Sequence, residues 1–140
     1  MVQRSSDPPD PHRPRTYLEV PQTFGLRPAK ARGDLPPDGR SRDLREAAMR
    51  QHVVVQSVRT LMAHQGLNQS ELADVTKIPR RTLVRILSGE TWVQTHHLVT
   101  LGRVLGTSLY AVPRLEDLTF DTTWVGMPAR SGAEDIKEAD

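Results

Sequence analysis

Arg80, Arg81 and Arg85 place three guanidinium groups within six residues, with Thr82 among them. A guanidinium is a planar, permanently charged fork that grips phosphate or the O6/N7 edge of guanine with two hydrogen bonds. On one exposed helix face, such a group suits nucleic-acid recognition; the plainer reading is a solvated charged face. A second set, His96-His97 with His52 and His64, raises metal binding or acid–base chemistry. Neighbouring histidines diverge by about 100° on a helix, and neither a cysteine nor a carboxylate stands at ligand spacing, so no metal and no cofactor is expected. The chain has no cysteine, which excludes disulfides, thiolate zinc sites and a cysteine nucleophile. Nucleophile-elbow, phosphate-loop, H-E-x-x-H and dinucleotide fingerprints are missing, and Ser131 and Lys137 lie in a tail too short to build a self-cleaving Ser–Lys site. An enzyme is not expected.

The elements that must hold the arginines follow from periodicity. Leu44, Ala48, Val55, Val58, Leu61 and Met62 form a helical stripe over about 43–65, with Arg50-Gln51-His52 as a candidate break and Gly66 as a stop. Asn68 and Glu71 are spaced as a capping box for a helix over about 69–75, which carries Leu72 and Ala73 inward. After Pro79, a helix over about 80–87 buries Leu83, Ile86 and Leu87 and turns its arginines and Val84 outward. A fourth helix, about 94–105, uses Leu98, Leu101 and Leu105, and a last short turn or helix around Leu109-Tyr110 reaches Pro113. Two short helices joined by a tight turn, with small Ala73 at their crossing, have the layout of a helix-turn-helix. Its second helix can enter a major groove about 12 Å wide.

From about Val54 to Leu109 the sequence resembles the Cro/λ-repressor-like helix-turn-helix family. The resemblance rests on the run Leu67 to Ala73, on Ile78, Arg80, Thr82-Leu83, Arg85-Ile86 and Gly89, and on Leu98, Leu101, Leu105-Gly106 and Ser108-Leu109. It implies an operator-binding regulator of double-stranded DNA, with Arg80, Arg81, Thr82 and Arg85 facing bases and Gln69, Lys77 and Ser88 facing phosphates. Departures accompany it. Lys77 stands at the turn position usually held by glycine, where a left-handed lysine costs roughly 1 kcal/mol. Thr76 replaces a leucine under the turn, Pro79 replaces a capping Ser or Thr, and Glu90 stands where a phosphate-binding Lys or Arg is frequent, so that it would repel DNA. Trp92 is expected as a core plug, with a place near the DNA backbone as the alternative.

The fold class expected is all-α: a compact helix-turn-helix bundle of four to five helices at 44–113, between a disordered Pro-rich arm at 1–43 and a short C-terminal segment at 114–140. Eight of the eleven prolines fall in the arm, and such a composition reads as solvated or extended; Tyr17 to Val20 and Phe24 to Leu26 are its candidate anchors. Residues 118–125 favour β structure, and 107–125 is a candidate dimer contact. Net charge is +2, but the arm carries eight basic and six acidic residues, the domain eight and four, and the C-terminal segment three and seven. The basic arm and domain are balanced by an acidic tail, which is expected to temper nonspecific DNA binding. The start of the chain lacks a signal-peptide core, and Val53-Val54-Val55 is the longest aliphatic run, so a cytoplasmic location is expected. The functional expectation is a phage- or prophage-type immunity repressor, as a homodimer on a palindrome or a monomer. An antitoxin-type protein-binding module that autoregulates its operon is the alternative, and a purely structural interaction domain the third.

Overall fold

The computed structural model describes residues 7–26 and 28–109. Four α-helices follow one another: α1 Gly39–Gln65, α2 Gln69–Thr76, α3 Arg80–Leu87 and α4 Thr95–Leu105. Among the described residues the sole β-type pairing is an isolated antiparallel bridge between Leu18 and Ala31. The described residues therefore adopt the expected all-α class. The C-terminal turn at Tyr110, the β-prone stretch 118–125 and the acidic tail lie outside the described residues.

Helix α1 starts earlier than its apolar stripe, because Asp38 caps it: the carboxylate accepts the Ser41 amide at 2.7 Å. It also runs unbroken through Arg50-Gln51-His52. Those polar side chains do not interrupt the buried face: Gln51 and His52 are 3% and 2% exposed and bond to segments packed on the helix. Asn68 and Glu71 form the expected capping box at 2.8 and 2.9 Å, and α2 ends one residue later than expected, at Thr76. The core joins Val55, Val58 and Met62 of α1 to Leu72 and Ala73 of α2, Leu83 and Leu87 of α3, and Leu101 and Leu105 of α4.

The Pro-rich stretch departs from the expected disordered arm. Over its described residues it is a folded strap laid on α1, with short 3-10 turns at Pro14–Tyr17 and Pro21–Thr23. Each turn opens on a proline, whose fixed φ suits the tight bend. Tyr17, Leu18 and Phe24 are buried in the core region, which offsets the ordering entropy that composition alone left uncompensated. Leu26 is not an anchor, being 60% exposed. Gly25 is required where the strap meets α1: its φ is +73°, and a side chain there would collide with Val55 Cγ1. Its amide donates to His52 Nδ1 at 2.7 Å, and the Phe24 ring meets the His52 ring edge-on at 5.7 Å. Further along, buried Arg32 pairs with Asp34 at 2.9 Å, and Arg45 donates to the Arg32 carbonyl at 3.0 Å.

Candidate nucleic-acid interface

The turn between α2 and α3 sets the angle at which α3 is presented. Lys77 takes the left-handed conformation, φ +63°, the one non-glycine residue to do so among those described. Thr76 replaces the expected apolar contact with hydrogen bonds: its buried hydroxyl donates to the Leu72 carbonyl at 2.7 Å and accepts the Ile78 amide at 3.3 Å. Pro79 is the N-cap residue of α3 and offers no side-chain bond, yet its carbonyl accepts the Leu83 amide at 2.9 Å. The turn is thus held by Thr76 and by the burial of Ile78.

Leu83, Ile86 and Leu87 anchor α3 in the interior, which leaves Arg80, Arg81, Val84 and Arg85 exposed around one shallow depression. Thr82, on the same helix, is half-buried. Among the described residues none of the three arginines forms an ion pair, whereas Arg13, Arg15, Arg32 and Arg50 all do. The other predicted residues sit at element ends. Gln69 opens α2, half-buried; Lys77 is exposed and borders a groove with Arg80; Ser88 follows α3, its hydroxyl donating to the Arg85 carbonyl at 3.3 Å.

Glu90 does not stand alone in the loop after α3. Arg13 grips its carboxylate with two bonds, 2.8 and 3.0 Å, and Arg15 adds a third at 2.8 Å. These bonds, first that of Arg13, hold the Glu90 carboxyl below the usual carboxylate range, and Glu90 raises the Arg13 guanidinium in return. Two cations against one anion reverse the local charge expected from Glu90. The strap is fastened to the same loop twice more. The Arg15 amide donates to the Gly89 carbonyl at 2.9 Å, and Trp92 Nε1 donates to the Pro11 carbonyl at 2.8 Å. Trp92 is accordingly half-buried against the strap rather than a core plug. Gly89 cannot carry a side chain: its φ is +76°, and a Cβ would lie 2.7 Å from the Phe24 ring.

From the other side Gln51 secures the loop. Its amide nitrogen donates to the carbonyls of Ile86 at 3.1 Å and Thr91 at 3.0 Å, while its oxygen accepts the Val93 amide at 2.9 Å. Sequence reasoning missed Gln51, Arg13 and Arg15 as parts of this surface. Their partners lie 35 to 77 residues away, and no local spacing signals such pairs.

His52 and His97 make bonds within the fold. The His96 and His97 rings touch at a tilt of 49° with centroids 4.2 Å apart, and His97 Nδ1 accepts the Gln94 amide at 3.4 Å. Burial, with the neighbouring His96 second, holds His97 below the ordinary histidine pKa. Among the described residues no group of three His, Cys, Asp or Glu could hold a metal, and no helix is long and apolar enough to cross a membrane. A family model described as helix-turn-helix matches residues 58–112, from the end of α1 through α4. Comparison with curated proteins and with solved structures finds no significant match.

Proposed function

Since residues 58–112 are a Cro/λ-repressor-like helix-turn-helix, the domain of DNA-binding transcription regulators, we propose that this protein is a phage- or prophage-type repressor that covers operator DNA by laying α3 in the major groove. The observation that carries this reading is the exposed face of α3, where three arginines stand without an acidic partner among the described residues. Arg80, Arg81 and Arg85 have the chemistry for guanine edges, and Thr82 reaches either a base or a phosphate. Val84, exposed among them, adds an apolar surface for a thymine methyl group. Gln69, Lys77 and Ser88 contact phosphates and fix the register. The Arg13–Glu90–Arg15 cluster supports this assignment, since its net positive charge leaves the loop beyond α3 attractive to a phosphate backbone. A homodimer on a palindromic site is the assembly proposed.

Selection of bound sequences from random duplexes, followed by gel shifts with Arg81→Ala and Arg85→Ala, tests the face. Each loss of a bidentate contact should weaken binding by about 1–3 kcal/mol and relax one position of the site. Affinity should also fall steeply with salt. Unchanged affinity and sequence preference in both variants would refute the assignment. Stoichiometry on the selected site decides the assembly, and two chains on half-sites about one helical turn apart support the dimer.

A further inference from the structure

Away from α3, the strap and the outer face of α1 enclose a groove of about 570 Å³. Leu26 and Ala63 give it apolar walls, Gln56, Thr60 and His64 a polar rim, and Arg59 a cation. Half-buried Arg59 is unlike the buried Arg32 of the strap. Arg32 meets Asp34 at 2.9 Å, but Arg59 has no carboxylate among the described residues, and its Nε is buried without an acceptor. Among the described residues its one hydrogen bond is long, from Nη2 to the Leu87 carbonyl at 3.3 Å. Burial alone acts on its pKa, pushing it down with no anion to oppose the shift. A partly desolvated cation without a counter-charge is unfavourable, and an arriving anion relieves it. The groove volume falls in the range of small-molecule sites, which pair apolar walls with a few polar groups.

We propose that this groove binds a small amphipathic anion, a carboxylate or phosphate monoester on a short apolar body, with Arg59 as its counter-ion. Leu87 is the last residue of α3, so an anion that draws the Arg59 guanidinium into the groove also alters the bond at the end of that helix. The site stands on the groove and on Arg59; its coupling to DNA rests on the proposed function. Binding that favours one arrangement of α3 must change DNA affinity, and DNA must change ligand affinity by the same factor.

The probes are hexanoate and phenyl phosphate, with neutral hexanamide as the control, titrated into the full chain by NMR at constant ionic strength. Both anions should shift the Arg59 Nε–H and the Gly25 and Leu26 amides saturably, with half-saturation below about 10 mM, and hexanamide should bind at least about tenfold more weakly. Arg59→Gln should abolish the shifts. Ala63→Glu, on an exposed position of α1, should abolish them too by placing a carboxylate in the groove, with the remaining spectrum preserved. The chain's own acidic end is the other source of carboxylates. Neutralising Glu134, Asp135, Glu138 and Asp140 should leave the Arg59 signal unmoved; a shift without added ligand would overturn the free-anion site. So would an absence of saturable binding by both anions, or undiminished binding in Arg59→Gln. For the coupling, phenyl phosphate at saturation should change operator affinity roughly fivefold or more in the wild type and not in Arg59→Gln. Unchanged operator affinity with intact ligand binding would overturn the coupling, and a ligand site on a chain that binds no operator would overturn the proposed function instead.

Discussion

Replacing Gln51 with leucine keeps the size of the side chain and removes the amide that joins α1 to the end of α3 and the loop beyond it. Three bonds of 2.9 to 3.1 Å are lost. At about 1 kcal/mol net for each, the sum is about 3 kcal/mol. The partners moderate it. The Ile86 carbonyl still accepts the Gly89 amide at 3.2 Å, while the Thr91 carbonyl and Val93 amide lose the bonds described for them in a half-buried setting. The expected loss is therefore about 2–4 kcal/mol, a large share of the roughly 5–15 kcal/mol that holds a typical domain. Urea denaturation followed by circular dichroism reads it as a lower midpoint at unchanged slope. Operator affinity of the folded variant should also fall, because the loop beyond Ser88 loses the amide bonds to α1 and only the long Arg59 bond to the Leu87 carbonyl is left of the hydrogen bonds described between α1 and the end of α3. A loss below about 0.5 kcal/mol would show that water replaces the amide at little cost and would refute the reasoning.

Lys77→Gly should raise the thermal midpoint, since a left-handed lysine at φ +63° costs about 1 kcal/mol that glycine does not incur, while operator binding weakens for want of a cation; a lower midpoint would contradict the strain. Gly89→Ala combines a left-handed alanine with a Cβ 2.7 Å from the Phe24 ring and should cost about 2–4 kcal/mol in the same urea titration. The lowered pKa of Glu90 gives stability that is present above the usual carboxylate value and lost as pH falls through the folded-state value. Wild type should therefore lose more stability than Glu90→Gln when pH drops below about 4.5. Because Arg13 is 46% exposed, a double-mutant cycle between it and Glu90 should return only about 0.5–1 kcal/mol.

The helices of the recognition domain are legible because each has local signals: a capping box at Asn68 and Glu71, a stop at Gly66, and apolar residues at three- and four-residue steps. The outward arginines of α3 follow from the same periodicity, since fixing Leu83, Ile86 and Leu87 inside fixes Arg81 and Arg85 outside. Gln51 and His52 misled because polar residues in an apolar stripe suggest a break, whereas here their hydrogen bonds lie on segments distant in sequence. The strap was legible only through its apolar anchors, Tyr17, Leu18 and Phe24, which are buried as expected; the order of the rest was not, for a related reason. Its composition is that of a solvated segment, and what orders it is a few specific contacts: Phe24 over Gly89, Arg13 on Glu90, Trp92 on Pro11. None of these can be inferred without knowing which distant residue is the neighbour.

The strap makes the stretch that matches the family model shorter than the stretch joined by contacts to it. A fragment cut to residues 58–112 would truncate α1, discard Gln51 and Val55 and uncover the apolar surface beneath Tyr17, Leu18 and Phe24. It would also leave Glu90 with neither arginine, so the loop beside α3 would turn from net positive to negative. Such a fragment would keep every residue by which the module is recognised, yet present a phosphate backbone with the opposite field at one edge. The family match begins at residue 58, whereas the bonds that set the charge of this loop begin at Arg13, 45 residues earlier, so the electrostatics belong to the longer stretch.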